Sequence, residues 1–245
     1  MTRVIDCSMV ISNRVWRGGW KVNISTQRED VVEIEGVKVR AQSSIIHMSA
    51  HCGTHIDSPW HFIEGEGPII GEIPIDRCFG EAAVVDLTDK GELEPITAED
   101  MEKRGKHVRE GDIVLLKTGW MERNADGNTE RMEGLPANLD FWKRGPYPSR
   151  SMAEWMVHKK VRAVGYDCPN EISQGPSVEN AQTRMGSSTP REEQHVHRIH
   201  LSNGIMQIEY LCNLTAIKKE RVKFFAVPLK LKTEGSPVRA FAIEE

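Results

Sequence analysis

The sequence lacks the features of several protein classes, and each absence argues against one class of function. No apolar run approaches the ~20 residues that a membrane-spanning helix needs. The first twelve residues have no apolar core of the kind found in a signal peptide. The net charge of −4 gives no basic surface for nucleic acid. We therefore expect a cytoplasmic protein that acts on a small molecule and has neither membrane nor nucleic-acid partners.

Cysteine pairs are missing as well. The five cysteines are widely spaced and form no C-x-x-C pair, which favours reduced thiols. They are Cys7, Cys52, Cys78, Cys168 and Cys212. Cys52 lies inside a cluster of histidines, where it could be a nucleophile or a ligand. We interpret it as a small packing residue, because a catalytic thiol would need a base of its own.

Neither internal repeats nor a Ser/Gly linker divides the 245 residues, so we expect one domain over residues 1–245. Helices are predicted from Thr97, with Asp100 in the capping-box position, and from Ser151. Strand-like runs are more numerous and begin near Val4, Ser43, Ala82, Asp112, Val161, Gly204 and Lys223. This mixture predicts an α/β or α+β fold with a central sheet.

The most informative segment reads HCGTHIDSPWHF and places His51, His55, Asp57 and His61 within eleven residues. Three imidazoles and a carboxylate this close together are typical ligands of a divalent transition metal. A straight strand would point all four side chains to one face, but it would hold His51 and Asp57 about 20 Å apart. Since metal bonds are only about 2.0–2.2 Å long, the segment must fold back on itself.

Gly53 and Pro59 favour such a fold-back. Gly53 permits a sharp turn, and Pro59 stiffens the exit from the segment. Histidines also cluster in turns as hydrogen-bonded structural residues, and this alternative stays open. The added carboxylate and the third imidazole favour a metal site.

A second segment is predicted to complete the site. Thr189 and Pro190 predict the start of a helix that ends at Asn203 and Gly204. This helix carries His197, and the strand after it carries Glu209 among apolar neighbours. A buried carboxylate is costly unless it is paired or bound to a metal. Glu209 could instead pair with a surface lysine on an edge strand, but the upstream cluster favours coordination.

The segment from Glu122 to Arg150 is rich in Gly, Pro, Asn and charge, which predicts an irregular loop. Long loops in compact domains often act as lids or binding loops. An excursion on the surface or a contact between copies of the chain is the other interpretation.

The run HCGTHIDSPWHF resembles the H-x-G-T-H-x-D-x-P-x-H-F signature of the cyclase family, which includes bacterial kynurenine formamidases and isatin hydrolases. Further matching pieces occur in family order at residues 5–8, 111–120, 165–167, 224–229 and 235–240. The resemblance implies a single swivelling β/β/α domain. It also implies a homodimer or homotetramer whose interface shapes the substrate pocket.

Carried over residue by residue, the resemblance implies that His51, His55 and Asp57 bind a first divalent ion, either Zn²⁺ or Mn²⁺. Glu209 would contribute to that ion and, together with Asp57 and His197, would help to hold a second ion in members that have two. The implied content is thus one or two ions per chain. Isatin hydrolases tend to carry Gln in place of Glu209, so a fuller metal site is implied here.

The resemblance also implies an activity, with His61 as the catalytic histidine. The expected reaction is hydrolysis of a C–N bond in a small amide, formamide or cyclic amide by metal-activated water, with His61 moving the proton. Trp60, Phe62, Trp16 and Trp20 could form aromatic walls around a planar substrate or be ordinary core residues. The alternative is a lactone- or polyketide-directed cyclase or hydrolase with the same metal site. A non-enzymatic role in metal storage or ligand binding would require that His61 has no catalytic function.

Overall fold

A computed structural model describes residues 2–13, 22–65, 67–124, 141, 144–170 and 195–245. The α-helices are α1 (Ala98–Arg104), α2 (Trp120–Arg123), α3 (Arg150–His158) and α4 (His195–Ser202). The strands are β1 (Arg3–Asp6), β2 (Asn23–Ile34), β3 (Val37–His47), β4 (His55–Asp57), β5 (Phe79–Asp86), β6 (Pro95–Ile96), β7 (Ile113–Lys117), β8 (Tyr147–Pro148), β9 (Ala163–Tyr166), β10 (Met206–Glu209), β11 (Arg221–Phe225), β12 (Gly235–Pro237) and β13 (Phe241–Glu244). Short 3₁₀ turns span Pro59–His61, Ile70–Glu72, Ile75–Arg77 and Leu214–Ala216.

Nine strands form one sheet in the order β1-β13-β11-β5-β7-β9-β10-β4-β12. The four central strands β5, β7, β9 and β10 are parallel, and the strands on either side of them pair in antiparallel fashion. Parallel strands are usually covered on both faces, which is why β5 and β7 read as continuous apolar runs in the sequence. This mixed α+β architecture with a large central sheet confirms the predicted fold class.

Both faces of the central sheet are apolar. In β7, Val114 and Leu116 face a core to which helices α1, α3 and α4 contribute, whereas Ile113 and Leu115 face a second core closed by 3₁₀ turns. Within the described residues, α-helices therefore pack on one face of the sheet only. Its far edge, β10-β4-β12, carries the predicted metal-binding segment.

The predicted helices are present, and one of them begins one residue earlier than predicted. Thr97 caps α1, because its side chain accepts a hydrogen bond from the Asp100 N–H while the Asp100 carboxylate accepts one from the Thr97 N–H at 2.8 Å. Helix α3 begins at Arg150, one residue earlier than predicted, and Ser149 caps it by accepting from the Met152 N–H at 3.3 Å. Helix α4 ends as predicted, with Gly204 at φ +69°. Its predicted start at Thr189 lies outside the described residues.

A long hairpin of β2 and β3 forms a separate two-stranded sheet, of which the sequence predicted only the end of β3, from Ser43. We call this hairpin, residues 23–47, the arm. Its turn residues Glu35 and Gly36 both have positive φ, +52° and +77°, as in the tight turns that suit twisted hairpins. Every strand residue of the arm except Ile24 is exposed. The alternation of Val and Ile around Gly36 was the signal that could have revealed it.

The remaining sequence predictions concern the loop from Glu122 to Arg150, the number of domains and the lack of membrane-spanning helices. Most of the predicted loop from Glu122 to Arg150 lies outside the described residues, so its role stays a prediction. The single domain over residues 1–245 also stays a prediction, although β1 and β13 from opposite ends of the chain pair in the same sheet. In the part of the chain that the structure describes, no helix has the length and apolar character needed to cross a bilayer.

Candidate metal centre

The pairing of β10 with β4 brings the two predicted halves of the site together. In this antiparallel register Glu209 lies opposite His55, and Gln207 lies opposite Asp57. Opposed residues in such a ladder share one face of the sheet. These four side chains therefore point to one side, while Ile56 between them faces the apolar core.

The chain before β4 folds back as the spacing predicted. Gly53 has φ +63°, and a Cβ there would approach a neighbouring side chain within 3.1 Å, so the turn favours glycine. His51 returns to β4, with its Nδ1 atom 2.9 Å from Oδ1 of Asp57. The 3₁₀ turn after β4 then places the ring centroid of His61 4.2 Å from that of His51.

Helix α4 adds His197 to the site. Its Nε2 atom lies 3.3 Å from Oε1 of Glu209, and its ring centroid lies 5.9 Å from that of His61. The other histidines of the helix have different surroundings. His200 is fully buried, with Nδ1 3.0 Å from the Tyr166 hydroxyl, and we interpret it as structural.

Two groups of ligand atoms meet at Asp57. One consists of His51, Asp57 and His61, and the other of His55, Asp57 and Glu209; in each group the ligand atoms lie within 4.8 Å of one another. The structure therefore gathers all five predicted ligands, with His197 beside Glu209. It also places His61, predicted as a proton-transfer residue, in the first group.

The donor set fits a divalent cation. Asp57 is completely buried and Glu209 is 6% exposed, yet among the described residues neither oxygen of Asp57 has a hydrogen-bond partner of good geometry. Burial alone would raise the pKa of Asp57, but the charges of His51 and His55 outweigh burial and hold it well below its usual range. Two ionised buried carboxylates need a compensating positive charge, which a bound cation supplies.

The histidine pKa values differ with their surroundings. Burial would lower the pKa of His51, but its contact with Asp57 and the charges of Glu209 and Glu234 raise it to about 9. The pKa of His61 is lowered, chiefly by burial, and the charge of Asp57 only partly offsets that effect. In the protein without metal, His61 is therefore neutral at neutral pH.

A hydrogen bond at the ring nitrogen that faces away from the site fixes the orientation of His55. Its Nδ1 atom lies 2.8 Å from the carbonyl oxygen of Gly53, and because a carbonyl can only accept, Nδ1 carries the hydrogen. The Nε2 atom faces Asp57 at 3.4 Å and Glu209 at 3.8 Å. This arrangement is typical of a histidine that binds a metal through Nε2.

Four residues near the site were not predicted as part of it. The Asn170 amide donates to Oε1 of Glu209 at 2.6 Å and to Oε1 of Gln207 at 3.1 Å. Glu234 contacts Nε2 of His51 at 3.1 Å, and Gly235 packs directly against Asp57. Only Gln207 gave a signal, because strand alternation places it on the same face as Glu209.

The structure describes two of the four aromatic residues that were predicted to surround a substrate. Trp60 is 48% exposed, and the Phe62 ring stacks on that of His197 at 5.5 Å. Trp16 and Trp20 lie outside the described residues. Cys52 is fully buried in the helix-covered core, and burial raises the pKa of its thiol to about 11, which confirms the packing interpretation.

Comparisons with known proteins agree with this centre. A family model with the description "Putative cyclase" matches residues 5–171. The chain is 25% identical over 209 residues to isatin hydrolase from Roseibium aggregatum, a match that covers 80% of this chain and 72% of that protein. It is 24% identical over 241 residues to kynurenine formamidase from Bacillus thuringiensis, covering 96% and 95%.

A solved structure shares the fold. The structure of a predicted metal-dependent hydrolase from Bacillus stearothermophilus superimposes with a TM-score of 0.69 and 24% identity, over 100% of both chains.

Proposed function

Since this chain belongs to the cyclase family, we propose that it is a metal-dependent hydrolase that cleaves the carbon–nitrogen bond of a small amide, formamide or cyclic amide. The observation that carries this proposal is the buried Asp57 carboxylate, which lies 2.9 Å from His51 and 3.4 Å from His55 and has no hydrogen bond of good geometry within the described residues. The relatives' names, kynurenine formamidase and isatin hydrolase, support an amide or cyclic-amide substrate over the lactone or polyketide alternative.

The metal would be held by His51, His55, Asp57, His197 and Glu209. Imidazole nitrogen and carboxylate oxygen suit Zn²⁺ and Mn²⁺, and the two groups around Asp57 leave room for one ion or two. When bound, such a cation lowers the pKa of water and stabilises negative charge on a carbonyl oxygen.

His61 would move the proton. Because burial keeps its imidazole neutral at neutral pH, a ring nitrogen can accept a proton from the attacking water. His61 then donates that proton to the amide nitrogen as the C–N bond breaks. The products are a carboxylic acid and an amine, so the reaction consumes one water.

The substrate would lie near the exposed side of His61 and His197. Phe62, which stacks on His197, and the half-exposed Trp60 are the described residues able to contact a planar ring. We propose the same contact for Trp16 and Trp20, which lie outside the described residues.

We further propose a homodimer or homotetramer in the cytoplasm. The arm supports the assembly, because Val32 lies opposite Val39 and Ile34 opposite Val37 at its tip. All four of these side chains are 42–62% exposed, and a second copy of the chain is the occupant we propose for this apolar face. The five cysteines are free thiols, as expected in a reducing compartment.

A substrate panel tests the activity. We would assay N-formylkynurenine, isatin, a simple cyclic imide and a lactone with protein loaded with Zn²⁺ or Mn²⁺. We expect turnover of at least one C–N substrate, and loss of that turnover both after metal removal and in His51→Ala. Turnover of the lactone alone, or no turnover of any compound by fully loaded protein, would overturn the proposal.

A further inference from the structure

Glu234 contacts the candidate ligand His51 on the ring nitrogen that faces away from Asp57. Its Oε1 atom is 3.1 Å from Nε2 of His51, while Nδ1 of the same ring is 2.9 Å from Oδ1 of Asp57. The imidazole of His51 thus lies between two carboxylates, one on each nitrogen. Asp57 is fully buried, whereas the Glu234 side chain is 34% exposed.

The strand that carries the ligands also fixes the position of Glu234. The carbonyl oxygen of Glu234 accepts hydrogen bonds from both the N–H and the hydroxyl of Ser58, each at 2.9 Å. Ser58 directly follows Asp57 at the end of β4. The backbone of Glu234 is therefore held relative to Asp57 by the two donors of one residue.

The next residue keeps this segment close to the site. Gly235 pairs with Asp57 in the register of β12 with β4. A Cβ at Gly235 would lie 3.0 Å from Oδ1 of Asp57 and 3.1 Å from Cε1 of His51, so a larger residue would press on both. The close approach of the backbone at Gly235 is what lets the preceding carboxylate reach the ring.

We propose that Glu234 is a positioning residue that holds His51 for the metal. A carboxylate accepts the hydrogen on Nε2, which leaves Nδ1 as the nitrogen that faces Asp57 and the cation. This inference rests on the proposed function, because it requires His51 to be a ligand. It differs from a ligand role for Glu234, which belongs to neither group of candidate ligand atoms among the described residues.

The physical consequence is a change in metal affinity. A carboxylate behind a ligating histidine fixes the orientation of the ring and makes its other nitrogen a better donor, and losing such a partner typically costs about 10–100-fold in metal affinity. A glutamine keeps an oxygen that can accept the same hydrogen bond but loses the negative charge. Glu234→Ala should therefore weaken binding more than Glu234→Gln.

The test uses Zn²⁺ competition against a chromophoric chelator, with the full-length chain and three variants. We expect Glu234→Ala to bind Zn²⁺ about 10–100-fold more weakly than the parent, with Glu234→Gln in between. The matched control is Glu154→Ala, which removes an exposed carboxylate paired with Arg150 and should leave affinity unchanged. Thermal unfolding of the metal-free proteins checks that each variant is folded.

Nitrogen chemical shifts of the His51 ring in the Zn²⁺-loaded parent give a second readout, since they report which nitrogen binds the ion. We expect Nδ1. Unchanged affinity in Glu234→Ala, or Zn²⁺ on Nε2, would overturn the positioning role while leaving the proposed function intact. Equal losses in the Ala and Gln variants, with fewer ions per chain, would make Glu234 a ligand instead. A parent that binds no divalent ion would overturn both proposals.

Discussion

Glu209 lies directly opposite His55 in the antiparallel pairing of β10 with β4, and its Oε2 atom is 3.8 Å from Nε2 of His55. This single register joins a candidate ligand from the first quarter of the chain to another near its end. A slip of one residue would turn Glu209 toward the apolar core, because strand side chains alternate between faces. Packing of Ile56 and Ile208 in that core therefore fixes the geometry of the candidate metal site.

We predict that the purified protein holds one to two divalent ions per chain and that removing them lowers its melting temperature. Without a cation, the buried carboxylates of Asp57 and Glu209 have lost their main compensating charge. A ligand at about 100 times its Kd stabilises the folded state by about 2.7 kcal/mol. Elemental analysis and thermal unfolding before and after chelation measure both effects. Protein that holds no transition metal and gains no stability when Zn²⁺ or Mn²⁺ is added would contradict the metal site.

Glu209→Gln should lower metal content. The substitution keeps the shape of the side chain and its contact with Asn170, but it removes a buried negative charge beside His55 and His197. We expect fewer ions per chain after dialysis and a weaker remaining site on His51, His55 and Asp57. If the variant kept its full metal content, Glu209 would be structural and the two-ion site would be wrong.

His61→Ala should separate catalysis from metal binding. We expect this variant to retain metal and to lose roughly 10²–10⁴-fold in turnover, the usual contribution of a positioned acid or base. His51→Ala should lose metal and turnover together. Both quantities are measured on each variant, with whichever substrate the panel identifies.

The structure makes this comparison necessary, because it places His61 in the same group of candidate ligand atoms as His51 and Asp57. Should His61→Ala lose its metal as readily as His51→Ala, then His61 is a ligand. The proton would then need another carrier.

Stability of the metal-free protein should fall in acid partly because of His200. Burial, with a smaller effect of the charge of His197, lowers the pKa of His200 to about 3 in the folded chain, against about 6.5 when unfolded. Below pH 6.5 the unfolded state therefore binds a proton that the folded state does not. This one residue should lower the free energy of unfolding by up to about 1.4 kcal/mol per pH unit as the pH falls from about 6 toward 3.

Urea unfolding of the metal-free protein at pH 7.0, 5.5 and 4.5 measures this slope, with the pH values chosen as roughly spanning the unfolded pKa. His200→Gln, which keeps a polar group near Tyr166, should show a shallower loss of stability than the parent. Identical slopes in parent and variant would show that His200 is not the titrating group.

The arm should decide the oligomeric state. Ile34→Asp with Val37→Asp places charges on the apolar face of its tip, and we expect the molar mass in solution to fall to that of one chain. Glu33→Ser with Lys38→Ser is the matched control, since this pair occupies the opposite face of the same two strands. Light scattering after size exclusion measures both. A parent that is already monomeric, or a tip variant with unchanged mass, would rule out assembly through the arm.

Prediction from the sequence worked best where local rules act. The Thr97 cap, the end of α4 at Gly204 and the central strands followed from capping chemistry and apolar runs. Most of the arm was missed, since its strands carry many polar residues and pair only with each other. Asn170 and Glu234 were missed too, because each lies just outside a matched piece and only the fold brings it to the site.

The sequence by itself determined which residues could bind a metal and that they had to fold together. In a straight strand, His51 and Asp57 would lie too far apart to bind one ion. An ordinary turn would not be expected to contain so many possible ligands. Only the tertiary structure decided how close His197, already implied by the resemblance, comes to Glu209, and that Glu234 contacts the Nε2 atom of His51. These choices depend on strand register and helix placement, which the packing of both faces of the sheet determines and no local spacing encodes.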